Sequence, residues 1–325
     1  MEISNHLYPL KLNYITKTAL WGGDKLIREY GKVFDGEKLS ETWELSCRTP
    51  EESCMIENGP CAGMLLTDYF ADYGKALIGE DYREEKFPLL IKWIDAHDTL
   101  SVQVHPDDAY ALAHENDPGK TEMWYIAEAE PGAKLIYGLK DGVDREGFRD
   151  ATARGDYASV MREVPVKKGE VYFIPSGMLH AIGAGILIAE IQQNSDLTYR
   201  VYDFDRRGPD GKLRPLHVQK ALDVVRPFTE EEIRAVRFSA VKETEIDDDL
   251  LAACPYFRVR TLSAEKGEIE VSAASFVHVL CTNGEGIIIR EKERYPIRKG
   301  ESYLLPAALG TCRTEGDAEL ILSSL

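Results

Sequence analysis

Two histidines, a glutamate and a glutamine supply the side chains best suited to hold a metal ion. Gln103 and His105 alternate with apolar residues, so their side chains share one face of a predicted strand. Glu122 opens a later β-rich stretch, and His180 follows a Pro-Ser-Gly turn at the end of another. Imidazole nitrogens and carboxylate oxygens are ligands for zinc and similar metals. The alternative, for each histidine taken singly, is a core residue whose nitrogens are satisfied by the backbone.

A spaced motif leads into the last of these residues. The run Gly169-x5-Pro175-x-Gly177-x2-His180 resembles the second signature motif of the cupin superfamily. The first cupin motif normally offers His-x-His and then a glutamate. Here Gln103-x-His105 stands in that place, and an insertion displaces Glu122. The combined spacing favours one metal site built from these four side chains.

The same spacing of glycine and proline recurs near the C-terminus. Gly300-x5-Pro306 follows a β-rich run, as Gly169-x5-Pro175 does, which predicts two copies of one β unit. The second copy has Thr311 in place of the histidine of the first. We therefore expect one metal ion per chain, held by the first copy.

Longer stretches extend the resemblance beyond the motifs. Ordered and similarly spaced matches cover most of residues 8–205: Leu20-Trp21-Gly22, Glu41-x-Trp43, Phe87-Pro-Leu-Leu-Ile-Lys92, Leu100-Ser-Val-Gln-Val-His-Pro106, Gly119-Lys-Thr-Glu122, Ser176-Gly-Met-Leu-His180, Glu190, Ser195-Asp196 and Arg200. In these stretches and in its length, the chain resembles the short bacterial form of type I mannose-6-phosphate isomerases. The last 80 or so residues match only as a degenerate cupin.

The resemblance implies a role for each matched residue. It implies a zinc site formed by Gln103, His105, Glu122 and His180. Arg200 falls on the family's active-site arginine. Lys120 and Glu190 fall on catalytic positions of the pocket. Lys92, Ser101 and Trp21 fall on substrate-binding positions.

The implied reaction converts mannose 6-phosphate into fructose 6-phosphate by moving a proton between C2 and C1 through an enediol. A divalent cation and the Arg200 guanidinium can stabilise the charge that develops on the sugar oxygens. A general base must take the C2 proton and return it, and both Glu190 and Lys120 are candidates. Lys92 and Ser101 could bind the phosphate. Trp21 is either a wall of the pocket or a core residue.

Three other functions remain open on the sequence. Two histidines and a carboxylate could hold iron for oxygen chemistry, although such chemistry needs no cations for a phosphate. The substrate could instead be glucose 6-phosphate. The chain could also be a sugar-phosphate-binding protein without activity, although binding alone would not require the metal ligands.

Many short apolar runs separated by glycine and proline predict a mainly β protein with two cupin (jelly-roll) barrels and a few flanking helices. Helical spacing is confined to a few segments, listed here: 65–78, 106–115, 216–225 and a short helix capped by Thr229 and Glu232. We expect a catalytic cupin domain over residues 1–240 and a degenerate cupin domain over residues 241–325.

Composition limits the possible partners. The 39 lysines and arginines against 56 aspartates and glutamates give a net charge of −17, which argues against nucleic acid and anionic membranes as partners. The sequence shows no apolar stretch long enough to span a bilayer and no signal peptide, so we expect a cytoplasmic enzyme that acts on a small sugar phosphate. The 6 cysteines are too scattered for a disulfide scaffold and predict buried, reduced thiols.

Overall fold

The chain folds into antiparallel sheets with short helices on their edges. The structure is a computed structural model that describes residues 7–80, 82–208, 210–265 and 267–325. The first strands are β1 (Leu10–Lys11), β2 (Ile15–Lys17), β3 (Glu41–Leu45), β4 (Leu89–Ala96), β5 (Val102–Val104), β6 (Glu122–Ala129), β7 (Lys134–Leu139), β8 (Met161–Pro165), β9 (Val171–Ile174), β10 (His180–Ile182), β11 (Ile186–Gln193) and β12 (Tyr199–Tyr202). The later strands are β13 (Leu250–Ala253), β14 (Arg258–Ser263), β15 (Glu268–Val271), β16 (Val277–Asn283), β17 (Glu285–Arg290), β18 (Glu293–Arg298), β19 (Ser302–Leu305), β20 (Gly310–Gly316) and β21 (Glu319–Ser324).

The helices are short and lie mainly in the first two thirds of the chain. The α-helices are α1 (Lys25–Glu29), α2 (Leu66–Ile78), α3 (Asp108–Glu115), α4 (Arg145–Arg154), α5 (Val218–Val224) and α6 (Glu230–Arg237). Short 3₁₀ helices span Pro50–Glu52, Gly59–Cys61, Tyr157–Ser159 and Glu243–Glu245. Among the described residues, none of these helices combines the length and the apolar character needed to cross a bilayer.

The strands form four sheets, two built mainly from each part of the chain. Sheet I has the order β2-β3-β4-β11-β6-β9, and sheet II has the order β12-β5-β10-β7-β8. Sheet III has the order β1-β19-β16-β21-β14-β13, and sheet IV has the order β15-β20-β17-β18. The protein is therefore mainly β, as the sequence predicted.

Most of the predicted elements are present with small shifts of their ends. The four predicted helices correspond to α2, α3, α5 and α6, and the predicted capping box of Thr229 and Glu232 is formed. In α2, Gly74 has φ +36° and interrupts the helical backbone, which the hydrophobic spacing did not reveal. The helices α1 and α4 were not predicted. All six cysteines are buried, as expected.

The internal repeat has a backbone counterpart. Gly169 and Gly300 have φ values of +88° and +87°, and each comes just before a strand, β9 and β19 respectively. A residue with a Cβ atom rarely adopts this left-handed conformation, which explains why both copies have glycine. After the proline, the first copy continues into β10, which starts at His180, and the second continues into β20.

The two parts of the chain share one hydrophobic core. Its buried members come from sheet I and from sheet III, including Trp93, Ile91, Leu280 and Ile321. The strand β1, at the start of the chain, pairs with β19 in sheet III, which the sequence did not indicate. A second hydrophobic cluster packs α4 and α5 against one face of sheet II, the outer face. The opposite, inner face of sheet II is therefore available for polar side chains.

A buried ion pair joins sheet I to the loop before β19. The Lys32 Nζ atom lies 2.7 Å from Glu44 Oε1 and donates a 2.6 Å hydrogen bond to the carbonyl of Gly300. Glu44 is the extra residue of a β-bulge, because Trp43 and Leu45 face the consecutive residues Lys92 and Ile91 of β4. Both charged side chains are at most 3% exposed. The attraction between the two charges therefore offsets most of the free-energy cost of removing them from water.

We expect Lys32→Met to destabilise the protein by about 3 kcal/mol, because it leaves the Glu44 carboxylate buried without its partner. The double variant Lys32→Met/Glu44→Leu should recover part of this loss. Chemical denaturation measures both values. The control is Lys134→Met, which removes an ion pair whose side chains are 56% and 61% exposed and should cost less than about 1 kcal/mol. Equal losses in the two single variants would contradict the role of burial.

Candidate functional site

Sheet I brings four large or charged side chains into one row. Register pairs Trp43 with Lys92, Lys92 with Glu190, and Glu190 with Trp124 across β3, β4, β11 and β6. Directly opposed residues of antiparallel strands point to the same face, so these side chains are neighbours. All four are at most 3% exposed.

Sheet II supplies a second row. Gln103 of β5 pairs with Arg200 of β12 on one side and with His180 of β10 on the other. His105 follows Gln103 by two residues and so lies on the same face. The intervening residues Val102 and Val104 pack against the helices on the outer face. The polar row therefore faces sheet I.

The two rows meet at a cluster of His105, Glu122 and His180, whose possible ligand atoms lie within 4.8 Å of one another. His180 Nε2 is 3.3 Å from Glu122 Oε1, and His105 Nε2 is 3.5 Å from Glu122 Oε2. The two Nε2 atoms are 3.1 Å apart. Each side chain comes from a different strand or strand end, so the cluster depends on the pairing of both sheets.

Backbone carbonyls orient both imidazole rings. The Nδ1–H of His105 donates to Leu197 O at 2.7 Å, and the Nδ1–H of His180 donates to Met178 O at 2.8 Å. With the proton on Nδ1, each Nε2 presents a lone pair to the centre of the cluster, as metal-binding histidines do. Burial lowers the pKa of both rings, that of His180 to about 4, which favours this neutral form.

The carboxylate of Glu122 fits the same role. It is fully buried, and neither oxygen accepts a hydrogen bond of good geometry, although Lys120 Nζ lies 3.1 Å from Oε2. Burial, followed by the charge of Glu190, raises the pKa of Glu122 to about 8. A further cation beside the carboxylate would lower this pKa and favour the ionised form of Glu122. Two imidazole nitrogens and this carboxylate therefore fit a divalent metal ion.

Gln103 lies at the edge of the cluster. Its Nε2 atom is 3.4 Å from His180 Nε2, and rotation of the amide by half a turn would exchange this nitrogen for the oxygen. The amide oxygen would then be the fourth ligand on the same side as the histidines. The sequence-based ligand set of Gln103, His105, Glu122 and His180 is thus brought together in space.

Lys92 and Glu190 form a second buried pair beside the cluster. Lys92 Nζ is 3.5 Å from Glu190 Oε2, 3.7 Å from Glu41 Oε2 and 3.9 Å from Asp196 Oδ1. Burial lowers the pKa of Lys92, but these carboxylates raise it by more. Burial raises the pKa of Glu190, but the charges of Lys120 and Lys92 outweigh it and lower that pKa to about 2. Both groups are therefore charged.

Arg200 and Ser101 lie together at the β12 end of sheet II. The Nε–H of Arg200 donates to Ser101 Oγ at 3.3 Å, and its Nη1 donates to Pro215 O at 3.0 Å. Arg200 is half-buried, and its pKa is lowered by burial and by the charge of Arg214. Arg214 in turn donates to Asp203 Oδ2 at 2.7 Å. This end of the site is rich in guanidinium groups.

Nine of the ten site residues predicted from the sequence lie in these two rows or beside them. The tenth, Trp21, is 5% exposed and belongs to the hydrophobic core, where its carbonyl accepts from Asp98 N. The sequence analysis gave no role to Trp124, Asp196 or Glu41. In the sequence, Trp124 is one apolar residue of a predicted strand. Its place beside Glu190 becomes evident only from the strand register.

Comparisons with known proteins agree with this geometry. Residues 10–132 match the family model for the catalytic domain of type I phosphomannose isomerase, and residues 248–325 match that for the cupin domain of mannose-6-phosphate isomerase. Mannose-6-phosphate isomerase of Streptococcus mutans is 37% identical over 315 residues, covering 97% of this chain and 98% of that protein. Mannose-6-phosphate isomerase ManA of Bacillus subtilis is 36% identical over 318 residues, covering 98% and 99%.

A solved structure gives the same result in three dimensions. The crystal structure of mannose 6-phosphate isomerase from Bacillus subtilis superposes with a TM-score of 0.87 at 31% identity, over 98% of this chain and 99% of that one. A putative mannosephosphate isomerase from Archaeoglobus fulgidus shares the fold, with a TM-score of 0.76 at 21% identity over 98% of both chains. With curated relatives above 30% identity over nearly the whole length, the chain belongs to the type I mannose-6-phosphate isomerase family.

Proposed function

We propose that the protein interconverts mannose 6-phosphate and fructose 6-phosphate through an enediol intermediate. The observation that carries this proposal is the buried cluster of His105, Glu122 and His180 beside the Lys92–Glu190 pair. An aldose–ketose isomerase needs an electrophile for the sugar oxygens and a base for the carbon-bound proton, held side by side away from water. The membership of the family supports this substrate over glucose 6-phosphate.

The metal would be zinc, held by Gln103, His105, Glu122 and His180. The two imidazoles and one carboxylate are a donor set that zinc accepts. When bound, the ion would polarise the carbonyl and hydroxyl oxygens of the sugar. We propose one ion per chain, because Thr311 stands in the second copy where His180 stands in the first.

Glu190 is the stronger of the two candidates for the base. Its Oε2 atom is buried and accepts no hydrogen bond of good geometry, so a lone pair is available for the C2 proton. Lys120 instead lies 3.1 Å from the Glu122 carboxylate, in an ion pair that requires its ammonium form. An ammonium has no lone pair to accept a proton, but it can stabilise negative charge on a sugar oxygen.

The phosphate would bind at the Arg200 end of the site. Arg200 and Ser101 offer a guanidinium and a hydroxyl next to each other, and Arg214 adds positive charge. Arg200 could also reach an oxygen of the enediol, the role expected from the family. Lys92 has three carboxylates around it and would mainly support Glu190, and Trp21 would line the site only indirectly.

We also propose a finer architecture for the two parts of the chain. Sheets I and II would form one jelly-roll barrel with the active site, within a domain of residues 1–240. Sheets III and IV would form a second, non-catalytic barrel from residues 241–325, to which β1 adds a strand. Substrate and net charge fit a cytoplasmic enzyme that binds no nucleic acid.

A coupled assay tests the function directly. Purified protein should convert mannose 6-phosphate into fructose 6-phosphate with a kcat/KM at least ten times that for glucose 6-phosphate. Comparable or faster turnover of glucose 6-phosphate would favour the alternative sugar-phosphate isomerase. Binding of mannose 6-phosphate without turnover would support a non-catalytic binding protein and contradict the proposal.

Metal analysis tests the single site. We expect about one divalent ion per chain, loss of activity on treatment with a chelator, and recovery on adding zinc. Glu122→Gln should weaken binding of the ion strongly, because a neutral amide replaces the carboxylate. Glu170→Gln is the control and should retain the metal, because in the described part of the chain this half-buried carboxylate just before β9 accepts only from Lys167 N and Tyr172 Oη. Two tightly bound ions per chain, or full activity of chelator-treated protein, would exclude the single catalytic site.

Arg200→Ala should lower kcat on the order of 10²-fold while the fold and metal content stay unchanged, because a charged hydrogen bond to the reacting sugar is lost. Arg200→Lys should recover only part of the activity, since an ammonium lacks the planar pair of donors. The matched control is Arg207→Ala, which removes an exposed arginine bonded to Gly211 O. Near-normal kcat in Arg200→Ala, or a loss explained by unfolding, would remove Arg200 from the catalytic residues.

A further inference from the structure

Trp124 touches both halves of the site. Its Nε1–H donates a 3.0 Å hydrogen bond to Glu190 Oε1, in a buried position. The edge of the indole also meets the ring of His180, with centroids 5.4 Å apart and planes at 76°. Trp124 is two residues after Glu122 on the same face of β6 and is the direct cross-strand partner of Glu190. One side chain thus contacts the candidate base and a metal ligand.

This hydrogen bond makes the two oxygens of Glu190 different. Oε1 is held by Trp124, while Oε2 accepts no hydrogen bond of good geometry and lies 3.5 Å from Lys92 Nζ. A free carboxylate rotates and offers either oxygen. An indole N–H is only a donor, so it fixes Oε1 without competing for the proton that the carboxylate takes up.

We propose that Trp124 is a positioning residue that makes Oε2 of Glu190 the oxygen through which the proton moves; this rests on the proposed function. In the forward step the C2 proton passes to Oε2, and the C2–H electron pair forms the C1–C2 double bond. The π pair of the C1 carbonyl moves to its oxygen, which takes the proton of the C2 hydroxyl and leaves the enediol as its monoanion. In the return step Oε2 delivers its proton to C1, the electron pair of the C1–C2 double bond forms the new C1–H bond, and the oxygen at C2 forms the ketone. Trp124 exchanges no proton in either step.

The chain contains a matched control for this residue. Trp93, on strand β4 of the same sheet, is also fully buried and belongs to the same hydrophobic core. Its Nε1 atom, however, has no hydrogen-bond partner. Replacing either tryptophan by phenylalanine removes the same atoms, but only Trp124→Phe removes a hydrogen bond to Glu190.

The hydrogen bond can be tested without any assay of activity. The protein has 4 tryptophans, so a spectrum of ¹⁵N-labelled protein shows a small set of indole N–H signals that single Trp→Phe variants assign. In Glu190→Gln the Trp124 signal should move upfield, since the acceptor loses its charge, and should move more than the Trp93 signal. An unmoved Trp124 signal would overturn the placement of this bond, whether or not Trp124→Phe folds.

Kinetics test the role of the bond. In Trp124→Phe, kcat per bound metal should fall about tenfold, the effect of losing one hydrogen bond to a charged group, with KM changed less than about twofold. Trp93→Phe should retain kcat within about twofold, even if its melting temperature falls. Mannose 6-phosphate deuterated at C2 should show an isotope effect on kcat in Trp124→Phe no smaller than in the wild type, because the lost interaction acts on proton transfer.

Two results would overturn the proposal. One is an equal loss of kcat in Trp124→Phe and Trp93→Phe, which would assign the effect to packing alone. The other is an isotope effect that disappears in Trp124→Phe, which would place the loss in a different step. An inactive wild type would instead contradict the proposed function and, with it, the kinetic role, while the spectra would still decide whether the hydrogen bond exists.

Discussion

The carboxylate of Glu122 has no access to water, so the rest of the site must supply the positive charge that stabilises it. Glu122 is fully buried, which raises its pKa, and its ionised form is stable only next to positive charge. The Lys120 ammonium lies 3.1 Å from Oε2, and the Nε2 atoms of the two neutral imidazoles, each with a lone pair, lie within 3.5 Å of the carboxylate oxygens. A divalent ion among these groups would offset the burial of Glu122 and separate the two lone pairs, which otherwise repel each other. The neighbouring Lys92–Glu190 pair has the same dependence on a partner, so the interior of the site is a set of mutually dependent charges.

The register of the antiparallel strands places these charged side chains next to one another. The strands β4, β5, β6, β10, β11 and β12 each contribute one or two polar residues on the inner face, and cross-strand pairing aligns them. A shift by one residue would turn Lys92 or Glu190 toward the hydrophobic core and bring an apolar neighbour into the site. The apolar outer faces resist such a shift, because they are packed against sheet III and against the helices. The hydrophobic residues between the functional ones therefore hold the site in register.

The sequence predicted what local patterns determine. Alternating polarity identified β5, glycine and proline spacing identified the repeat, and the capping box identified α6, since each depends on neighbours within a few residues. The candidate metal ligands were predicted from their spacing, which resembles the cupin motifs, and the structure brings His105, Glu122 and His180 together. Pairing between distant strands was not accessible: nothing in residues 10–11 indicates β19 as partner, and nothing distinguishes Trp124 from Trp93 until the register is known. Trp21, a position matched by resemblance, packs into the same core as Trp124, and its role at the site stays a prediction.

Strand β3 is linked both to the loop before β19 in sheet III and to Lys92 in sheet I. Its inner residue Trp43 lies opposite Lys92, whose ammonium is 5.0 Å from the centre of the indole ring. The next residue, Glu44, is bulged toward the other side and pairs with Lys32, which bonds to Gly300 in the loop before β19. A displacement of sheet III would thus act on the strand that flanks Lys92, and through Lys92 on Glu190. By this path the C-terminal sheets restrain the strand that lies beside the buried Lys92–Glu190 pair.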